Sequence, residues 1–136
     1  MLSDFKFSHI GIAVKSIKTA AQYYLDAGYR VSDTVYDPLQ DVSVAFLDKS
    51  GMPRIELVEP GLSVHCAVSK IIEKSGVSPY HICYETENIE NAINELKKKK
   101  YLLLARPVNA VALNDRKICF LYNKEVGLIE LTERAK

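Results

Sequence analysis

Cysteine, net charge and long apolar runs are all scarce in this chain of 136 residues. Its three cysteines, Cys66, Cys83 and Cys119, are odd in number and widely spaced, which excludes a disulfide framework and the paired CxxC spacing of a structural zinc site. They read as reduced, buried thiols. With 18 basic against 17 acidic residues the formal charge is +1, so there is no electrostatic footprint for nucleic acid or for an anionic membrane. No stretch is long and apolar enough to span a bilayer, and the start, MLSDFKFSHIGIAV, lacks a cationic segment followed by a long apolar run. These absences point to a cytoplasmic protein with a small-molecule partner. A glycine-rich phosphate loop, low-complexity segments and a proline-rich linker are missing too. What is present is 48% hydrophobic, enough for one domain with its own core over residues 1–136 and too short for two of ordinary size.

The chain repeats itself. A displacement of 72 positions superposes His9 on His81, Ile10 on Ile82, Ile17 on Ile89, Ala20 on Ala92 and Tyr29 on Tyr101. A displacement of 74 superposes Ile55-Glu56-Leu57 on Ile129-Glu130-Leu131, so the second half carries two additional residues in its loops. Each half opens on a strand-like stretch (HIGIAV, HICYET), passes into a helical period (SIKTAAQYYLDAG, NIENAINELKKKK) and ends in three extended segments. The predicted unit is βαβββ, twice, with module one over about residues 5–60, module two over about 78–134, and a connecting helix over about 63–75. Val64, Ala67, Val68, Ile71 and Ile72 share one face of that helix. Ser16, Asn88 and Ser63 are placed to cap the three helices, while Gly28 and Gly76 are placed to end two of them. The Lys97 to Lys100 run, at the polar end of an amphipathic helix, reads as a solvated face that complements the helix dipole. The expected fold class is α+β: two tandem βαβββ modules forming curled mixed sheets around a metal-binding cleft, helices outside.

Side chains alternate along a strand, so parity tells what each histidine and glutamate faces. Ile10, Ile12 and Val14 belong under a helix, leaving His9, Gly11 and Ala13 on the other face; His81 and Cys83 likewise turn away from Ile82 and Tyr84. In the repeated phrase, Ile55 and Leu57, and Ile129 and Leu131, take the core side, so Glu56 and Glu130 point oppositely. If each sheet curls with its helix outside, two imidazoles and two carboxylates meet in one cleft. Such a set is costly in a low-dielectric interior unless a cation neutralises it. Two nitrogens and two oxygens suit a divalent metal (Co, Ni, Zn, Mn or Fe) and leave open positions for substrate. His65, on the connecting segment, has no counterpart and is left out.

The phrases FSHIGIAVKSI, PYHICYETENIENAINELK and GLIELTE, set in paired βαβββ modules, resemble the vicinal oxygen chelate superfamily. That group contains glyoxalase I, methylmalonyl-CoA epimerase, extradiol dioxygenases and bleomycin-resistance proteins. The resemblance covers nearly the whole chain, and the order His, Glu, His, Glu is most similar to the epimerase branch. It implies His9, Glu56, His81 and Glu130 as metal ligands, a metal-dependent isomerase, epimerase or glyoxalase-type lyase that stabilises an enolate of a carbonyl or acyl-CoA substrate (or thiol adduct), and a homodimer. It also exposes two departures. Val44 stands where epimerases generally carry a glutamate base, and PVNAVALNDRKICF replaces a glycine-rich turn, with Arg116 retained near the expected basic position. With Val44 unable to take a proton, the role passes first to Glu130, then to Glu56, or to Asp41 or Asp37 from the adjoining loop. Arg116, Val44 and Asp41 are thus expected to line the substrate site. Two alternatives stand beside this reading: a ligand-sequestering protein of the bleomycin-resistance kind, which usually lacks the full ligand set, and an Fe(II) extradiol dioxygenase, which uses two His and one Glu and leaves no place for Glu56.

Overall fold

The computed structural model describes residues 2–63 and 65–135. Its elements run β1 (Lys6–Ala13), α1 (Ile17–Asp26), β2 (Arg30–Val31), β3 (Val35–Asp37), β4 (Val42–Asp48), β5 (Ile55–Pro60), α2 (Ala67–Ser75), β6 (Ser78–Thr86), α3 (Ile89–Lys98), β7 (Leu102–Leu103), β8 (Val108–Ala110), β9 (Arg116–Asn123) and β10 (Gly127–Glu133). This is the α+β pattern of two βαβββ modules. The chain divides into two compact units, residues 9–80, and residues 1–8 together with 81–136. Residues 2–8 thus fall in the unit that holds the second module.

In the first unit β1 runs parallel to β5, and β4 lies antiparallel on the other side of β5. β2 and β3 both pair antiparallel with β4. The extended segment expected after the helix is thus one edge strand in two pieces. Ser32 fills the break: its N–H donates to the Phe46 carbonyl at 2.9 Å, and its Oγ accepts from the Phe46 N–H at 2.8 Å. The second unit repeats the arrangement, with β10 parallel to β6, antiparallel to β9, and β7 and β8 both on β9.

The registers locate the two additional residues of the second half. Val31 opposite Leu47 corresponds to Leu103 opposite Leu121. Val35 opposite Val44 corresponds to Val108 opposite Ile118, and Asp37 opposite Val42 to Ala110 opposite Arg116. Along the edge strand the offset therefore rises from 72 at Val31 to 73 at Val35, and it reaches 74 at Val42. One residue enters the break in the edge strand. The other enters the hairpin before β9, where a single 3-10 turn, Val111–Leu113, lengthens the loop.

Each module helix covers the outer face of its own sheet. Val14, Ile17, Ala21, Ala45, Leu47 and Leu57 form one buried cluster, with Ile12 and Ile55 packed against it. Ile89, Ala92, Ile93 and Leu96, spaced to share one face of α3, join Cys119, Leu121, Ile129 and Leu131 in the other. At about 1.5–3 kcal/mol for each fully buried large aliphatic side chain, these clusters hold the helices in place. Ser16 and Asn88 cap as expected, their side-chain oxygens accepting from Thr19 N–H at 3.2 Å and Asn91 N–H at 3.0 Å. Gly28 and Gly76 take positive φ, 90° and 72°. Ser63 does not cap α2. The helix begins four residues later, at Ala67, after Cys66, which makes no side-chain cap. Ser63 is engaged elsewhere, its N–H donating to Asp41 Oδ2 at 2.8 Å and its Oγ accepting from the exposed His65 N–H. Of the face assigned to this helix, Val68 is buried, Ile71 and Ile72 are half-buried and Ala67 is exposed; Val64 lies outside the described residues.

Two residues beyond each Ile-Glu-Leu phrase stands a further glutamate, Glu59 and Glu133, with a structural task. Glu59 Oε1 accepts from the N–H of Ile17, first residue of α1, at 2.8 Å, and Glu133 Oε2 accepts from the N–H of Ile89, first residue of α3, at 3.2 Å. A carboxylate there satisfies an orphan donor and faces the positive end of the helix dipole. Glu59→Ala and Glu133→Ala are each expected to lower unfolding free energy in urea by about 1 kcal/mol, with metal content unchanged.

Candidate functional site

In the first unit His9 is 0% exposed and Glu56 6%, and His9 Nε2 stands 3.5 Å from Glu56 Oε1. Register explains the meeting. Glu56 lies beside Gly11 of β1 on one side and Phe46 of β4 on the other, and His9 is one pleat before Gly11 on the same face. Gly11 brings no side chain, so the imidazole can lean toward the carboxylate. Phe46 packs edge-on against His9, ring centroids 5.4 Å apart at 77°, and the Arg54 guanidinium lies over the Phe46 ring, 4.1 Å from its centroid.

The second unit reproduces this set. His81 Nε2 is 3.1 Å from Glu130 Oε1; Glu130 lies between Cys83 of β6 and Phe120 of β9. Phe120 meets His81 edge-on at 5.4 Å and 81°. Both residues of the pair are buried. The repeated element is thus a triad of His, Glu and Phe. The phenylalanines were not singled out from the sequence, although the displacement of 74 that aligns the glutamates also aligns Phe46 with Phe120.

Two donor atoms bound side by side to one ion at about 2.1 Å each stand about 3 Å apart. The spacings of 3.5 and 3.1 Å fit that geometry, and neutral imidazole with carboxylate is a donor set for a divalent first-row metal. Both carboxylates are buried with an imidazole nitrogen at ion-pair distance, an arrangement that a cation stabilises.

Val44 is buried and pairs with Val58, one pleat along β4 from Phe46, so its side chain shares the face of Glu56 but offers no proton acceptor. Asp41, at φ 52°, closes the β3–β4 hairpin. Tyr36 Oη donates to its Oδ1 at 2.6 Å and Ser63 N–H to its Oδ2 at 2.8 Å. These donors, Tyr36 first, hold its carboxyl below the usual range, and the same bond raises the Tyr36 phenol. A side chain at Gly61 would strike Asp41, 2.0 Å away, which is why the loop needs glycine there. A carboxylate so stabilised is a weak base. Asp37 is similarly occupied by Leu39 N–H and Gln40. Arg116 reaches across β10, its Nη1 3.8 Å from Glu85 Oε1, while its Nε donates to the Leu113 carbonyl at 3.1 Å. All three cysteines are buried thiols. Cys119 faces the α3 cluster, where burial, then the charges of Glu130 and Glu90, push its thiol up to about 12. Lys97 to Lys100 are exposed, as a solvated helix end requires.

The sequence profile of the Glyoxalase/Bleomycin resistance protein/Dioxygenase superfamily matches residues 8–120. The chain belongs to this superfamily. It is 33% identical over 132 residues to human mitochondrial methylmalonyl-CoA epimerase, a match that covers 94% of this chain and 73% of the relative. Among solved structures, a hypothetical protein from Bacillus halodurans C-125 superposes with a TM-score of 0.85 at 32% identity, covering 97% of this chain and 96% of that one. A variant of Streptomyces coelicolor methylmalonyl-CoA epimerase in complex with 2-nitronate-propionyl-CoA superposes at 0.82 with 26% identity, covering 96% and 98%. The superfamily fold is thereby shared along nearly the whole chain. Among the described residues no helix is long and apolar enough to cross a membrane.

Proposed function

We propose that this chain is a divalent-metal-dependent epimerase of a 2-branched acyl-CoA, working as a homodimer, in which His9, Glu56, His81 and Glu130 together hold one ion. The observation that carries the reading is the duplicated, buried His–Glu pair, with donor spacings of 3.5 and 3.1 Å. Similarity to an epimerase over 94% of the chain supports the substrate class. When bound, the ion supplies positive charge to substrate oxygens while the proton beside the carbonyl leaves. The chain supplies the rest. Phe46 and Phe120 keep water from the imidazoles and hold their ring planes. Glu130 takes the α-proton, because Val44 has no group able to do so. Glu56 serves as its counterpart on the metal.

The test is metal analysis of the purified protein, followed by NMR detection of α-proton exchange in deuterated water across a panel of acyl-CoAs and hemithioacetals. About one divalent ion per chain and exchange confined to branched acyl-CoAs are expected. Exchange with hemithioacetals alone would move the assignment to the glyoxalase branch. A metal-free protein unable to rebind ions, with no exchange anywhere, would replace catalysis by ligand sequestration.

A further inference from the structure

Inversion at a carbon needs a proton removed from one face and another delivered to the opposite face. A single fixed carboxylate gives exchange with retention, so an epimerase with Val44 at the expected second position needs another acid. Resting on the function proposed above, we propose that Glu85 is that second proton-transferring residue.

Glu85 shares the face of His81 and Cys83 on β6, by strand alternation. It stands opposite Thr132, one pleat along β10 from Glu130, which is itself opposite Cys83. From strand spacing and rise, the Cα atoms of Glu85 and Glu130 are about 8 Å apart. Side chains on that footing can place two carboxyl groups about 6 Å apart, each within hydrogen-bond reach of one face of a planar carbon between them. Three further observations single Glu85 out. The corresponding position in the first module is Ala13, so this carboxylate is no part of the duplicated metal set. Arg116 reaches it across β10 at 3.8 Å with both side chains only partly exposed, 21% and 30%, which steers the carboxylate while leaving an oxygen available. Between them the Thr132 hydroxyl is fully buried and has no hydrogen-bond partner among the described residues, an open donor on the same face.

In one direction the Glu85 carboxylate takes the α-proton as the C–H electron pair moves into the new C=C bond and the carbonyl oxygen gains charge. Protonated Glu130 then delivers its proton to the other face and the C=O bond re-forms. In reverse the two residues exchange roles, and solvent restores their protons between turnovers.

Glu85→Gln is the test, assayed with (2R)- and (2S)-methylmalonyl-CoA separately in deuterated water. The variant is expected to keep the metal content and melting temperature of the parent. It should still exchange the α-proton of one epimer within about threefold of the parent, fail to exchange the other, and interconvert the two about 10²–10⁴-fold more slowly. Glu85→Asp should recover part of the interconversion. Interconversion by Glu85→Gln within threefold of the parent, or equal loss of exchange from both epimers, overturns the proposal while leaving the metal-dependent function standing. A parent protein that exchanges neither epimer overturns both.

Discussion

Glu130→Gln is expected to slow epimerisation by about 10²–10⁴-fold, the usual contribution of a positioned general base, in a protein that stays folded and binds metal. Glu130 is 3% exposed and its register neighbours are Cys83 and Phe120, so glutamine fits the same space. The amide oxygen remains a possible metal donor toward which His81 still points. What glutamine loses is the ability to take a proton near neutral pH. The comparison variant is Glu56→Gln: it alters the equivalent ligand in the first unit, beside Val44, and should cost far less in rate once metal is saturating. Interconversion followed by NMR, with metal quantified in the same samples, separates the two. Full activity of metal-loaded Glu130→Gln would falsify the assignment of the base.

His81→Ala is expected to have the larger effect on the protein itself. The substitution leaves Glu130 buried without the imidazole 3.1 Å away, and breaking one side of a buried charged pair costs about 3–5 kcal/mol. Metal affinity should fall by more than the roughly 10–100-fold that loss of an outer-shell partner costs. Ion binding stabilises the parent by about 2.7 kcal/mol at a hundredfold excess over Kd, so the parent's melting temperature should rise with added metal and the variant's should not. The double variant His81→Ala/Glu130→Leu should be more stable than His81→Ala alone, because the buried carboxylate that lost the imidazole is gone. His9→Ala and Glu56→Leu should repeat the pattern in the other unit. A His81→Ala protein as stable and as metal-responsive as the parent would remove the pair from the metal site.

Much of this was legible because strand periodicity is local. The parity of His9 against Ile10, and of Glu56 against Leu57, follows from two-residue alternation whatever the strand pairs with. The caps at Ser16 and Asn88 need only the next three residues. Ser63 misled for the opposite reason: its capping capacity was real, but Asp41, 22 positions away, recruited it into a loop and the helix started at Ala67.

By itself the sequence determined the duplication, the faces of His9, Glu56, His81 and Glu130, and the superfamily. Those are matters of spacing along one chain. Only the tertiary structure decided where the two additional residues lie, that Glu59 and Glu133 belong to helix ends 42 and 44 positions away, that Phe46 and Phe120 brace the imidazoles, and that Arg116 is laid against Glu85. Each depends on which strand lies beside which and in what register, and a shift of one residue would turn every such side chain to the opposite face.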